Sequence, residues 1–287
     1  MKLSNIFGAP RLKPQWTFST HNILWRFLVS EKGLILGEDR DTENKTVSFF
    51  CIDMKTGAVL WRDRTYGEAW WIGIEALLGD RLYLHGFAQP DMPEHHGLIA
   101  LDARTGDEAW RNTEISFYAA DAEHVVGYRD LFERRIFQRF DAAKGTFLGE
   151  QETAGDETEE MRRHTFGRTD FIFPQPLFAD DLEHGQILKA LARHLTVQTA
   201  EPAIEYAHAG DRLLISAHLP QIPASGTQTP SLKNILSVVN PATGKEEFFD
   251  VLNADTPYPV PDSFFVDANV LYYIREKQSL CAVPLVR

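Results

Sequence analysis

Residues 99–110 read IALDARTGDEAW, and residues 51–61 read CIDMKTGAVLW, with Asp, Thr, Gly and Trp at the same internal offsets. Asp53 and Asp102 are 49 positions apart, and a period of about 40 to 50 residues points to a repeat architecture. FDAAKG carries the pattern again at Asp141 and Gly145, and VNPATGKEEF at Asn240 and Gly244, about two periods further on. Each copy is an apolar run, an Asp or Asn, two or three residues, Gly, and a second run. That second run ends on Trp61, Trp110 or Phe248, although Gly149 takes the place in the third copy. The pattern describes a hairpin: the Asp or Asn caps the turn's own backbone, and Gly adopts the left-handed conformation that closes a short bulged loop.

A second hairpin recurs upstream of each first one. GDRLYLH from residue 79 and GDRLLIS from residue 210 are near copies, with weaker counterparts in EKGLILG, DAEHVVG and DANVLYY. Two hairpins per period make four strands, which is the blade of a β-propeller. The expected fold is therefore all-β, one propeller domain over residues 1–287 with about six blades, five to seven being compatible. The units fall at 20–64, 68–113, 114–152, a degenerate 153–200, 201–252 and 260–286. The last offers only three strands, and PQWTFS (14–19) precedes the first, so the N-terminal strand is expected to complete the last blade and remove an open edge. The degenerate unit holds an acidic stretch, EQETAGDETEE (150–160), read as a solvated loop. It also holds one short amphipathic helix in DDLEHGQILKALARHL (180–195), where Ile187, Leu188, Leu191 and Leu195 stand at helical spacing.

The hairpins CIDMKTGAVLWR and ALDARTGDEAWR resemble the quinoprotein-type (PQQ-type) repeat. That repeat builds the propellers of quinone-dependent alcohol dehydrogenases and of noncatalytic outer-membrane assembly lipoproteins. The resemblance rests on Asp53, Thr56, Gly57, Trp61, Asp102, Thr105, Gly106 and Trp110, and more loosely on Asp141, Gly145, Asn240, Thr243 and Gly244. It implies a propeller in which Trp seals neighbouring blades. The catalytic members are similar in being eight-bladed, exported and calcium-bearing, with adjacent cysteines over the quinone. Here Cys51 and Cys281 are far apart in apolar runs, which suits buried free thiols and not a quinone enzyme. The layout also resembles small uncharacterised bacterial propeller-like proteins, which supplies no activity.

A formal charge of -12, from 29 basic and 41 acidic residues, repels phosphate backbones and anionic lipid. Nucleic acid and membrane are thus unexpected partners. The opening residues lack the apolar core of a signal peptide, and the cytoplasm is the expected compartment. If both tight hairpin turns of each blade lie on one face, the longer connections lie on the other. These are 37–46, 62–69, 87–97, the stretch after 149, 218–234 and 253–263, and such loops are where binding residues are expected.

GEAWWIGIEALL (67–78) places Trp70 and Trp71 at the entry of an inner strand and Glu75 within it. AIEYAHAG adds Glu205 and His208, GEDRD adds Glu38 and Arg40, and His85 lies in the GDRLYLH strand; these eight are the candidate ligand-binding residues. HGFAQPDMPEHHG offers His85, Asp91, His95 and His96 as candidate ligands for a divalent metal. No other cofactor is expected. Adjacent His95 and His96 point apart in an extended chain, and Pro90 and Pro93 mark a stiff turn, so a plain polar loop is the competing reading. The leading expectation is a noncatalytic scaffold binding a protein or small molecule. The alternative is a carboxylate- and histidine-based, metal-assisted hydrolase, lactonase or lyase, marked by convergence of Glu38, Glu75, Glu205 and His85.

Overall fold

The computed structural model describes residues 11–89, 92–166, 171–195, 203–221 and 231–286. They form two compact units, residues 20–169 and residues 1–19 with 170–287. In chain order the strands are β1 (Trp16–Ser19), β2 (Ile23–Val29), β3 (Leu34–Asp41), β4 (Thr46–Asp53), β5 (Val59–Arg64), β6 (Ile72–Leu78), β7 (Arg81–Phe87), β8 (His95–Asp102) and β9 (Glu108–Asn112). There follow β10 (Ser116–Ala120), β11 (His124–Asp130), β12 (Arg135–Asp141), β13 (Phe147–Gln151), helix α1 (Asp156–Phe166), β14 (Gln175–Pro176) and helix α2 (His184–Leu191). The chain then forms β15 (Ala203–Ala209), β16 (Arg212–Pro220), β17 (Leu232–Asn240), β18 (Lys245–Thr256), β19 (Phe264–Asp267), β20 (Val270–Arg275) and β21 (Ser279–Pro284).

The first unit carries three antiparallel sheets, β2–β5, β6–β9 and β10–β13, each a meander of consecutive strands. Their boundaries follow the repeat read from the sequence. The other unit carries β14–β18 and a four-stranded sheet ordered β1-β21-β20-β19. The N-terminal strand therefore completes the last sheet, with Trp16 opposite Ala282 and Ser19 opposite Ser279.

Five sheets are present among the described residues, where about six were expected. The stretch 153–200, expected as a degenerate blade with one helix, supplies two helices and the two-residue β14, which pairs with β15. The acidic run read as a loop opens α1: Asp156, Glu157 and Glu159 lie in its first turn, where the helix dipole favours negative charge. Met161 anchors that helix on Ala119, Val126 and Phe137. Among the described side chains of α1 it is the one apolar anchor, which leaves little periodicity to read. Helix α2 lies where its stripe predicted, burying Ile187 and Leu191 against Ile204, Leu213 and Ile215. Among the described residues, no helix is long and apolar enough to cross a membrane.

The repeated turns explain how the sheets are built. Asp53 Oδ1 accepts from Thr56 N at 2.8 Å, Asp102 Oδ1 from Thr105 N at 3.0 Å and Asp141 Oδ1 from Lys144 N at 2.7 Å, while Asn240 Oδ1 accepts from Thr243 N at 3.1 Å. The following glycines, Gly57, Gly106, Gly145 and Gly244, have φ between +67° and +72°, the left-handed region where a Cβ is costly. In the first unit the two tight turns of each sheet are joined at one end. Met54 N donates to Gly33 O at 2.8 Å, Ala103 N to Asp80 O at 2.9 Å and Ala142 N to Glu123 O at 2.8 Å.

The motif's Trp fastens each of the first two sheets to its successor. Trp61 Nε1 donates to Ala103 O at 2.9 Å, and a Cβ on Gly106 would lie 2.8 Å from Trp61 Cδ2. Trp110 repeats this one sheet further on, donating to Ala142 O at 3.0 Å with its ring 2.6 Å from where Gly145 would carry a Cβ. Around these contacts Leu34, Leu36, Phe49 and Cys51 pack on Ile72, Ile74, Leu82 and Leu84. Both cysteines are buried free thiols, and burial pushes Cys51 up to about 12.

Candidate functional site

The end of the β6–β9 sheet away from its tight turns gathers the residues of interest. Directly opposed residues of an antiparallel pair share a face, and alternate residues along a strand share it too. Gly73 stands opposite His85, and Phe87 opposite His95, so Gly73, His85, Phe87 and His95 share one face. Two bulges complete the set. Glu75 is the extra residue of β6 between Ile74 and Ala76, and Gly97 is the extra residue of β8, with φ +78°. A bulge re-aims the side chains beyond it. Without Gly97, the alternation starting at Leu98 opposite His85 would bring in His96. With Gly97 it brings in His95.

The outcome is a compact carboxylate–imidazole cluster. His95 Nδ1 lies 2.7 Å from Glu75 Oε2 in hydrogen-bond alignment. His85 Nδ1 lies 2.8 Å from the same oxygen, buried and outside hydrogen-bond alignment, so this contact has ion-pair distance only. The two imidazoles stack with centroids 3.4 Å apart and planes 7° apart, and Phe87 packs edge-on against both at 5.1 and 5.5 Å. Side-chain exposure is 4% for His85, 13% for Glu75 and 38% for His95, so the cluster has one wet side. Burial pushes the Glu75 carboxyl up, but the two neighbouring imidazole nitrogens outweigh it and hold the group at about 2. Burial pushes His85 down, with the Glu75 carboxylate partly opposing.

These three residues are the one group of His, Cys, Asp and Glu side chains, among the described residues, whose ligand atoms lie close enough together to hold a metal ion. Two imidazoles and one carboxylate suit a borderline divalent ion such as zinc, with a fourth position left for solvent or ligand. The sequence-based metal set is thereby revised. His85 and His95 remain, Glu75 joins them, and His96 lies on the other face, exposed. Asp91 lies outside the described residues.

The other candidates are distributed as follows. Glu38 and Arg40 are not on a long loop, because β3 runs through them to Asp41 and both are buried. Arg40 Nε donates to Glu38 Oε2 at 2.6 Å, its Nη1 donates to Trp70 O at 3.0 Å, and its Nη2 donates to Ile72 O. Trp70 lies over this guanidinium at 5.0 Å, with Lys45 at 4.8 Å from the same ring. Trp25, which sequence reasoning passes over, lies 5.8 Å from Arg40 and is 58% exposed. It is the bulge residue of β2, between Leu24 and Arg26, and bulges leave no trace in apolar alternation. Trp71 packs edge-on against Phe87 at 5.7 Å. Glu205 belongs to the other compact unit, where it accepts from Asp262 N at 3.0 Å and Ser263 Oγ at 3.3 Å, and His208 is exposed beside Tyr206. Both have local structural partners.

A groove of about 410 Å³ lies at the same end of the sheet, bordered by Tyr66, Trp71, Phe87, His96, Arg111 and Thr113; it includes none of Glu75, His85 and His95, and Gly86 and His96 stand on the face away from them.

A family profile described as a domain of unknown function, DUF4905, matches residues 28–110, which span most of the first two sheets. No curated protein matches the chain. Solved structures similar to it include β-propeller proteins. Quinohemoprotein alcohol dehydrogenase ADHIIG from Pseudomonas putida HK5 matches at 12% identity and TM-score 0.30, over 85% of this chain and 44% of that one. A member of the DUF4221 family from Bacteroides vulgatus matches at 11% identity and TM-score 0.31, over 96% and 95% of the two chains. The β-propeller domain of the Trilobed protease from Pyrococcus furiosus matches at 9% identity and TM-score 0.31, over 89% and 64%. The chain spans less than half the length of the alcohol dehydrogenase. Likeness at this level says nothing of activity.

Proposed function

We propose that the chain is a binding protein whose binding element is Glu75, His85 and His95, and that the cluster holds one divalent cation of the zinc class. The observation that supports this most is the meeting of two imidazole nitrogens on one carboxylate oxygen, with His85 Nδ1 buried and outside hydrogen-bond alignment. A buried polar atom without an aligned hydrogen bond is costly, and a cation on that nitrogen would satisfy it. Loading requires a local adjustment. Tetrahedral zinc sets neighbouring ligand atoms about 3.3 Å apart, so Glu75 must withdraw slightly. The lone pairs of parallel rings do not converge, so His95, the more exposed ring, must turn out of the stack.

The test is metal content together with calorimetry. Protein purified without chelator, or stripped and titrated with zinc, is expected to bind one equivalent, and Glu75→Gln is expected to lose at least tenfold in affinity. No stoichiometric binding by the wild-type chain would overturn the reading. A second reading, metal-assisted hydrolysis, is favoured by the wet side at His95. Turnover of activated esters, lactones or phosphodiesters by the zinc-loaded chain, lost in Glu75→Gln, would promote it over plain binding.

A further inference from the structure

Glu38 is a buried carboxylate from a different sheet, and the fold explains only part of its bonding. Its Oε2 takes the Arg40 guanidinium, and its Oε1 accepts the Ile74 backbone N–H at 2.6 Å. The same Oε1 borders a notch over Gly73. A Cβ built on Gly73 would stand 3.2 Å from Glu38 Oε1 and 3.1 Å from His85 Nε2. Glu38 Oε1 and the second nitrogen of His85 therefore both border the space left because residue 73 lacks a side chain. Arg40, tied to the Trp70 and Ile72 carbonyls, keeps the carboxylate there.

An imidazole that ligates through Nδ1 carries its proton on Nε2, and that N–H needs an acceptor. Metal-bound histidines generally donate it to a carboxylate, carbonyl or water, which sets the tautomer and the ring orientation. Building on the metal reading, we infer that Glu38 is the positioning residue of the centre: it accepts the His85 Nε2–H across the Gly73 notch, directly or through one water, and so aims His85 Nδ1 at the ion. His85 then lies between two carboxylates, Glu75 on the metal side and Glu38 behind.

The test compares zinc affinity and the visible spectrum of the cobalt(II) form in the intact wild-type chain, Glu38→Gln, Gly73→Ala and Glu75→Gln. Glu38→Gln and Gly73→Ala are expected to weaken zinc by about 10- to 100-fold and to alter the cobalt spectrum, with circular dichroism unchanged. Wild-type binding with both variants indistinguishable from it overturns the role of Glu38 and leaves the metal reading standing. Absence of wild-type binding overturns both. Long-range proton–nitrogen NMR of the zinc-loaded wild-type chain makes the inference independent of any variant's folding. His85 is expected as the Nε2–H tautomer, and the Nδ1–H tautomer would refute the inference.

Discussion

Gly106 lies under the indole of Trp61, the two belonging to successive sheets, and the Cβ that Gly106 lacks would stand 2.8 Å from Trp61 Cδ2. In the first three sheets the DxxTG signature is thus two halves of one contact, Trp61 closing on Gly106 and Trp110 on Gly145. Gly106 also has φ +72°, so it meets two separate demands.

Those demands can be separated. Gly244 has φ +68° with nothing within 4 Å of its missing Cβ, so Gly244→Ala should show only the left-handed strain, about 1–2 kcal/mol. Gly106→Ala adds the collision with Trp61 and should cost at least 1 kcal/mol more, of the order of other overpacking changes. Urea denaturation of the two variants measures the difference. Equal losses would mean that the indole moves aside freely.

Trp61→Phe keeps an aromatic ring in the slot but removes the N–H that Ala103 O accepts at 2.9 Å. A buried carbonyl left without its donor should cost about 1–3 kcal/mol. The matching change at Trp110, whose side chain is less buried, should cost less. Thermal melts of the two variants rank them.

His95→Ala and His96→Ala remove neighbouring imidazoles from opposite faces of β8. Under the metal reading, zinc affinity should fall by at least tenfold in the first and change by less than twofold in the second. Isothermal titration of both checks this, and a reversed ranking would mean that β8 lacks the Gly97 bulge.

His218 is buried in the other unit, and its Nε2 accepts Val260 N at 3.0 Å, a role open only to neutral imidazole. Burial pushes its pKa below the usual 6.5. Below pH 6.5 the unfolded chain therefore takes up a proton that the folded chain refuses. Stability should be pH-independent on this account above about 6.5 and fall as pH drops beneath it. His218→Gln, which retains an acceptor, should flatten that slope. Urea midpoints at pH 7.5 and 5.5 for the two proteins give the comparison.

Much of the fold was legible because its units are local. Each hairpin's Asp, Gly and apolar alternation lie within about a dozen residues, so the bounds of β2–β5, β6–β9 and β10–β13 follow from the repeat. The strand PQWTFS pairs with the chain's end because three strands leave an edge unfilled. Where the pattern is thin it misleads: among the described side chains of α1, Met161 is the one apolar anchor, and its run of carboxylates also suits a loop.

The candidate site was legible in residue type and not in geometry. His85, His95 and Glu75 all stood out as unusual polar residues in or beside apolar strands. What joins them is a pair of one-residue insertions, at Glu75 and Gly97, that invert the alternation locally. A bulge has no composition of its own, although the Gly directly after His95 and His96 is the one hint that the count slips there. Glu38 and Arg40 read as loop charges because GEDRDTENKT is polar throughout, whereas β3 carries them into the interior as a mutually neutralised pair.

The Trp-to-Gly fastening runs one way along the chain. Trp61 needs a turn made 40-odd residues later, and Trp110 needs one made some 30 residues later, while the third repeat, with Gly149 where Trp would stand, asks for nothing further of this kind. During synthesis each of the first two sheets must therefore wait for its successor to leave the ribosome before its own indole is covered. Until the turn at Gly145 is available, the second sheet keeps an open seam, just as the first does until the turn at Gly106.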